Sequence, residues 1–422
     1  MRHGRGHAAS VFRNPEFRAL WVAELVSVAG DQLARVAFSV LVYGRTGSAA
    51  WAAAVYALTF LPALLGGVLL GWVADRLPRR RVMVVADAAR ALLVLPLAWP
   101  GLPFALLCPL LVLVVVLASP HSAAQGALLP DVLSHGDELE RGFAVRQITN
   151  QTAQIVGFAV GGVLVTLIGP EIAILINAGT FLLSALVVRL GLRRRPAPPR
   201  GSGLDATAGF RTFTADIREG AAAVFTHPGL RTLAAAVWLV GCYVAPEALA
   251  VPFADELGAD PAAVGLLMAA DPAGSVIGAV IVSRWVPDAW RERVIIPAAA
   301  LAGLPLVASL FAPNVAVVVV LWGLTGALCT ISLVPAQAVF VRTTPGAMRG
   351  RATGLAASGL IAAQGLAILV CGGLAQVWSA GVAVAVCGAG GLAGALALRA
   401  TRGGREVSAA HRVDGDANCA TP

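Results

Sequence analysis

Residues 71–81 read GWVADRLPRRR: one acid and four arginines within eleven positions. On either side lie long apolar runs, about 50–74 before the arginines and 82–100 after them. In hydrocarbon a backbone must satisfy its own hydrogen bonds, so such runs are helices that cross a membrane. Arginines in a short connection are retained on the cytoplasmic side. This stretch therefore reads as the inner turn of a membrane-spanning helical hairpin.

The rest of the chain extends that pattern. Apolar residues make up 58% of 422, about 245 positions, and twelve spans of ~20 residues use ~240. Only 13% of residues are charged, half the share in a soluble domain. A soluble enzyme, a disordered chain and a nucleic-acid-binding domain are all excluded by these proportions. The net charge of +8 comes from 31 basic residues, all arginine. They sit in gaps between apolar runs, which orients a membrane protein and gives no polyanion-binding face. The absence of lysine fits a bacterium with a GC-rich genome. Five cysteines (Cys108, Cys242, Cys329, Cys371, Cys387) lie within apolar runs and Cys419 lies in the tail. With no CxxC and no adjacent histidine, neither a structural disulfide nor a metal site is expected. No removable signal is expected before the first span.

Spans are expected at 17–43, 50–74, 82–100, 103–130, 142–168, 172–191, 229–252, 261–283, 293–311, 314–338, 350–376 and 378–399. Alternate gaps hold nearly all the arginines, and the opposite set holds only Arg45 with Asp255, Glu256 and Asp260. Both termini are then cytoplasmic, which requires an even number of spans. The segment RRRPAPPRGSG (193–203) reads as part of a cytoplasmic linker. The expected organisation is a six-helix bundle over 1–191, a linker over 192–228, a second bundle over 229–399 and a flexible tail over 400–422.

The halves repeat. A shift of 208 places Gly66 on Gly274, Arg76 on Arg284, Arg141 on Arg349 and Gly157 on Gly365. Corresponding spans run in the same direction, so the repeat is parallel, an arrangement in which two halves rock about a site near mid-membrane.

With Gly71, Asp75, Arg76, Arg79, Arg80 and Arg81, the opening stretch resembles the signature loop of the major facilitator superfamily. TGSAAW (46–51), Asp87 and Arg90 in span 3, LLPD (128–131) and INAGTFLLSAL (176–186) add to the likeness, which is to the branch of macrolide-efflux and enterobactin-export proteins. The resemblance implies an all-α membrane protein of twelve helices in two six-helix bundles. It also implies that Asp75, with Arg76 as partner, belongs to a cytoplasmic latch that Arg79, Arg80, Asp87 and Arg90 extend. Span 5 carries GFAVGG, similar to the glycine motif of the family's exporters, with Phe158 where proline is usual. Gly157, Gly161 and Gly162 give it a small surface suited to close helix packing.

Charges inside spans are the functional candidates, because each costs roughly 2.5–3.5 kcal/mol at a helix centre. Asp31 and Arg35 share a face of span 1 and are spaced to pair. Asp271 in span 8 precedes Pro272 with no basic residue within a turn. Glu247 in span 7 and Glu24 in span 1 lie nearer the membrane surfaces. Gln151, Gln154, Asn177, Trp238, Tyr243, Gln337 and Gln364 are candidate cavity groups. The six histidines (His3, His7, His121, His135, His227, His411) are scattered, mostly in loops, which argues against an enzyme built on clustered acid–base residues. With no lysine there is no phosphate-binding GxxxxGK[ST], hence no built-in ATPase.

The expected function is secondary active export of a small hydrophobic or amphipathic compound by proton antiport with alternating access. Proton-coupled import of a nutrient or siderophore is the competing reading. The expected partners are that small molecule, protons and membrane lipid, without nucleic acid, cofactor or metal, in a monomer of the plasma membrane.

Overall fold

A computed structural model describes residues 11–59, 61–70, 73–133, 136–196, 218–222 and 224–418. The described residues contain helices and no strand. We number the helices α1 to α12. The first six are α1 (Pro15–Thr46), α2 (segments Ala49–Ala57, Leu61–Leu70 and Val73–Arg76), α3 (Arg79–Leu97), α4 (Phe104–Val132), α5 (Gly136–Ile168) and α6 (Pro170–Gly191). The second six begin with α7 (Pro228–Gly241, continued by a 3-10 turn and the short helices Ala245–Ala248 and Ala250–Glu256) and α8 (Pro261–Trp285). They go on through α9 (Arg291–Leu301 and Gly303–Ala308), α10 (Val315–Thr343), α11 (Arg349–Val377) and α12 (Ala380–Asn418).

Eleven stretches among the described residues are long and apolar enough to cross a membrane. The expected span at 82–100 is not among them. Its helix, α3, starts with Arg79, Arg80 and Arg81 and carries Asp87 and Arg90 in its middle. Those charges lower its hydropathy, yet Asp87 is 0% exposed and Arg90 4%, so α3 is sheltered by protein on its charged face.

Each helix end has a local cause. Asn14 caps α1 by accepting from the Glu16 amide at 2.9 Å and donates to the Val132 carbonyl, tying α1 to the end of α4. Gly47 stops α1 with φ of +59°, a left-handed geometry that favours glycine. Ser48 then caps α2 through the Trp51 amide. Arg45, the lone arginine of its end, donates to the carbonyls of Trp99 and Leu102 and holds the connection after α3.

Packing repeats between the halves. In the first, α1 lies on α5 and α6, α3 on α4 and α6, and α2 on α4; in the second, α7 lies on α11 and α12, α9 on α10 and α12, and α8 on α10. The same pairs offset by six are what a parallel repeat requires. Between the halves α5 packs on α8 and α2 on α11. The outward sides carry exposed Leu167, Leu190, Val320 and Val377, a surface stable only against lipid.

Two stretches differ from the sequence expectation. Residues 218–222 and 224–226, placed in the linker, are helical, and Val224 packs with Leu230, Ile295, Phe340 and Ala352 of the second half. The tail from residue 400 continues α12 as helix to Asn418; 419–422 lie outside the described residues.

Candidate functional site

Two groups of charged residues sit within the membrane. The first joins α1, α3, α4 and α6. Arg90 donates from one nitrogen to both oxygens of Asp31, at 3.0 and 3.1 Å, and its guanidinium lies 3.9 Å from the Phe181 ring centre. Asp87, one turn earlier on α3, is 3.9 Å from Arg90. It accepts from the Ser184 hydroxyl at 2.6 Å and stands 2.9 Å from Nδ1 of His121. Arg90 Nε and Gln125 Nε2 are buried without a hydrogen-bond partner.

Among the described residues Asp31 forms its ion pair with Arg90 rather than with Arg35, the residue spaced to pair with it on α1. Arg90 is a more rigidly held partner, stacked on an aromatic face. Asp87 and Arg90, expected to extend the charge network of Asp75, lie at mid-helix with Asp31. Gly71 and the side chain of Asp75 lie outside the described residues. Of the other loop residues, Arg79 pairs with Asp131 of the LLPD stretch at 2.5 Å and donates to the Ala127 carbonyl, and Arg80 donates to the Arg189 carbonyl. Arg76 is exposed.

The second group lies where the two halves meet. The buried Tyr56 of α2 donates to Glu247 of α7 at 2.6 Å. Arg35 sits 6.0 Å from the Tyr56 ring centre. Glu247, placed by sequence nearer the membrane surface, is 8% exposed. Asp271 is half-buried, and its carboxylate accepts no hydrogen bond from a described residue. It packs against Gly326 of α10, where an added Cβ would stand 2.8 Å from Oδ1. Pro272, next in the chain, removes one amide from the α8 ladder.

A cavity of about 220 Å³ lies beside the first group. Asp31, Arg35, Arg90 and Asn177 line it together with Phe38, Leu111 and Val114. Its wall is apolar with a few charges, the make-up of a site for an amphipathic ligand. Trp238 and Tyr243 instead bond to the carbonyls of Ala356 and Ala299, joining helices. Gln154 bonds to Asn150 and Gln151 along its own helix.

The glycines of α5 make close approaches. Gly157 lies against Ala29 and Gln32, and Gly161 against Leu33, all of α1; Gly162 lies against Gly265 of α8. Phe158, in the usual proline position, is 1% exposed. Glu24 is bound by Arg146 through two hydrogen bonds of 2.8 and 2.9 Å.

Sequence reasoning missed His121 and Tyr56. His121 counted as one of six scattered histidines; it lies inside α4 and is 6% exposed, opposite Asp87. A polar residue directly after Pro120 within a long apolar run was the available signal.

The family model of the Major Facilitator Superfamily matches residues 20–251 and 232–416. The multidrug efflux pump Tap of Mycolicibacterium fortuitum is 28% identical over 379 residues, covering 86% of this chain and 90% of the relative. The enterobactin exporter EntS of Escherichia coli O1:K1 / APEC is 28% identical over 383 residues, covering 86% and 85%. Among solved structures, a mutant of the nucleoside transporter NupG superposes with a TM-score of 0.69 at 15% identity, over 91% of this chain and 99% of that one. The repeated packing, the charges held inside the helices and a family match over nearly the whole length agree: the chain belongs to the Major Facilitator Superfamily and is a multi-span membrane transporter, not an enzyme.

Proposed function

We propose that the protein exports a small hydrophobic or amphipathic compound from a bacterial cell in exchange for protons. The observation that carries this reading is the hydrogen bond between Tyr56 of α2 and the buried Glu247 of α7, with Arg35 of α1 beside Tyr56, at the boundary between the halves. An acid held there can be charged in one arrangement of the halves and neutralised in the other, which couples proton movement to rocking. The 1–191 and 229–399 bundles are the rocking units, with both termini and the 192–228 connection cytoplasmic. Export, rather than import, is supported by the activities named for Tap and EntS and by the glycines of α5. The driving force is sufficient: one charge crossing 100 mV yields ~2.3 kcal/mol, about a 50-fold gradient.

The test is transport in inverted membrane vesicles with an imposed pH gradient, using ethidium as the fluorescent probe. Wild type accumulates the dye, whereas Asp271→Asn and Asp31→Asn, still folded, do not concentrate it. Normal pumping by both variants overturns the coupling assignment. Energy-dependent uptake of nutrients into intact cells that rises with the protein decides for import. Comparing compounds secreted with and without the gene identifies the natural substrate.

A further inference from the structure

Two adjoining cavities open at the turn between α2 and α3, away from the charged groups described above. The larger, about 470 Å³, lies between the first turn of α3 and the end of α6 and is lined by Arg80, Arg81, Arg189, Arg194 and Arg195. No acid is among the described residues that line it. Glu16 holds Arg195 at 2.6 Å. Arg81, Arg189 and Arg194 are exposed and pair with no acid among the described residues. Arg80 donates to the Arg189 carbonyl and keeps a buried Nε without a hydrogen-bond partner. Four guanidinium charges thus line one space without a counter-charge.

The start of α3 adds to the imbalance. Its arginines stand at the positive end of the helix dipole, its first turn holds no acid, and Pro78 supplies no side-chain cap. Retention on the cytoplasmic side accounts for arginines in this turn, but it requires no cavity between them. The second cavity, about 370 Å³, shares Pro78, Arg81 and Val85 with the first and runs among α2, α3 and α4 past Leu70, Val82 and Leu117. Arg81 is the one charged residue among the described residues that line it. Val85 is 65% exposed and Leu190, at the end of α6, 76%, so the cavities lie where the apolar surface gives way to arginines.

We infer that the two cavities together bind one anionic phospholipid, its phosphate among Arg80, Arg81, Arg189 and Arg194 and an acyl chain in the apolar groove. Arginine forks suit phosphate oxygens, and the shared residues set that polar site directly beside the apolar one. A free phosphate would use the first cavity alone. The bound headgroup offsets the repulsion between the ends of α3 and α6 and steadies the turn from which Arg79 reaches Asp131. In the orientation proposed above the lipid belongs to the inner leaflet. Its binding depends neither on the direction of transport nor on proton coupling.

The experiment is native mass spectrometry of the delipidated protein in detergent, titrated with phosphatidylglycerol, with phosphatidylcholine of the same chains, and with glycerophosphoglycerol, the headgroup without chains. Wild type is expected to take one phosphatidylglycerol at least about thirtyfold more tightly than either of the others. Arg81→Gln combined with Arg189→Gln weakens phosphatidylglycerol about thirtyfold, as the loss of two arginine attractions implies. It leaves phosphatidylcholine binding unchanged, which also reports an intact fold. Arg284→Gln combined with Arg342→Gln removes two exposed arginines from the last turns of α8 and α10, outside both cavities, and leaves every affinity as in wild type. Phosphatidylglycerol should raise the Tm of wild type and of this second pair, but not of the first. Equal affinity for the two lipids, or equal losses in both pairs of substitutions, means attraction to the basic surface at large and overturns the site. A bare headgroup that binds as tightly as the lipid makes the ligand a soluble anion and overturns the lipid assignment.

Discussion

Arg90 holds both oxygens of Asp31 through one nitrogen while its guanidinium lies over the Phe181 ring, a face-on contact that suits a planar cation. Arg90→Lys keeps the charge and loses that geometry. Dye accumulation in energised vesicles is expected to fall about tenfold, the equivalent of ~1.4 kcal/mol, with expression unchanged; activity within twofold of wild type contradicts the role. Glu24 gives a contrasting case. It reads from sequence as a rim charge, but it is 7% exposed and held by Arg146 through two bonds. Glu24→Gln leaves the guanidinium without its counter-charge and should cost roughly 2 kcal/mol. Thermal unfolding in detergent should show that loss, and a second change, Arg146→Met, should recover part of it. Neither pairing was legible in the sequence, because partners 59 and 122 positions apart are matched by helix packing.

At the scale of helices, small residues set how closely the halves approach. A Cβ at Gly162 would stand 2.7 Å from the Gly265 Cα, where backbone meets backbone and nothing can turn aside. Gly265→Val forces α5 and α8 apart, at a cost of about 1–3 kcal/mol typical of overpacking, and is expected to slow transport more than Gly157→Ala, whose neighbours belong to its own half. Vesicle assays of the two variants at matched expression test this; equal activity contradicts the assignment of α5 and α8 as a sliding contact. The glycine motif in α5 was legible, whereas its partner was not: Gly265 belongs to no recognisable motif and is found only through the packing.

Across the whole molecule, the hydrogen bonds that join the halves gather toward the end where arginines are few. Tyr43 donates to Asp255 at 3.0 Å, Ser48 to Gln376 at 2.7 Å and Tyr56 to Glu247 at 2.6 Å. The structure is thus closed at that end. In a background without cysteines, Ser48→Cys combined with Gln376→Cys should cross-link under oxidation and stop transport, and a thiol reductant should restore it. Undiminished transport in the cross-linked protein would show that this end does not open during the cycle.

The sequence by itself determined the number of helices, the parallel repeat and the family, because these follow from hydrophobic runs, loop charge and a short motif that survive without any knowledge of contacts. It also singled out Asp31, Arg35, Glu247 and Asp271, since a charge in an apolar run is conspicuous. Only the tertiary structure decided how those charges are grouped. It moved Asp31 from Arg35 to Arg90, set Tyr56 against Glu247 and brought His121 to Asp87. A helix presents one side to each of several neighbours, and which side faces which neighbour depends on the packing of the whole bundle. That choice leaves no local trace in the order of residues.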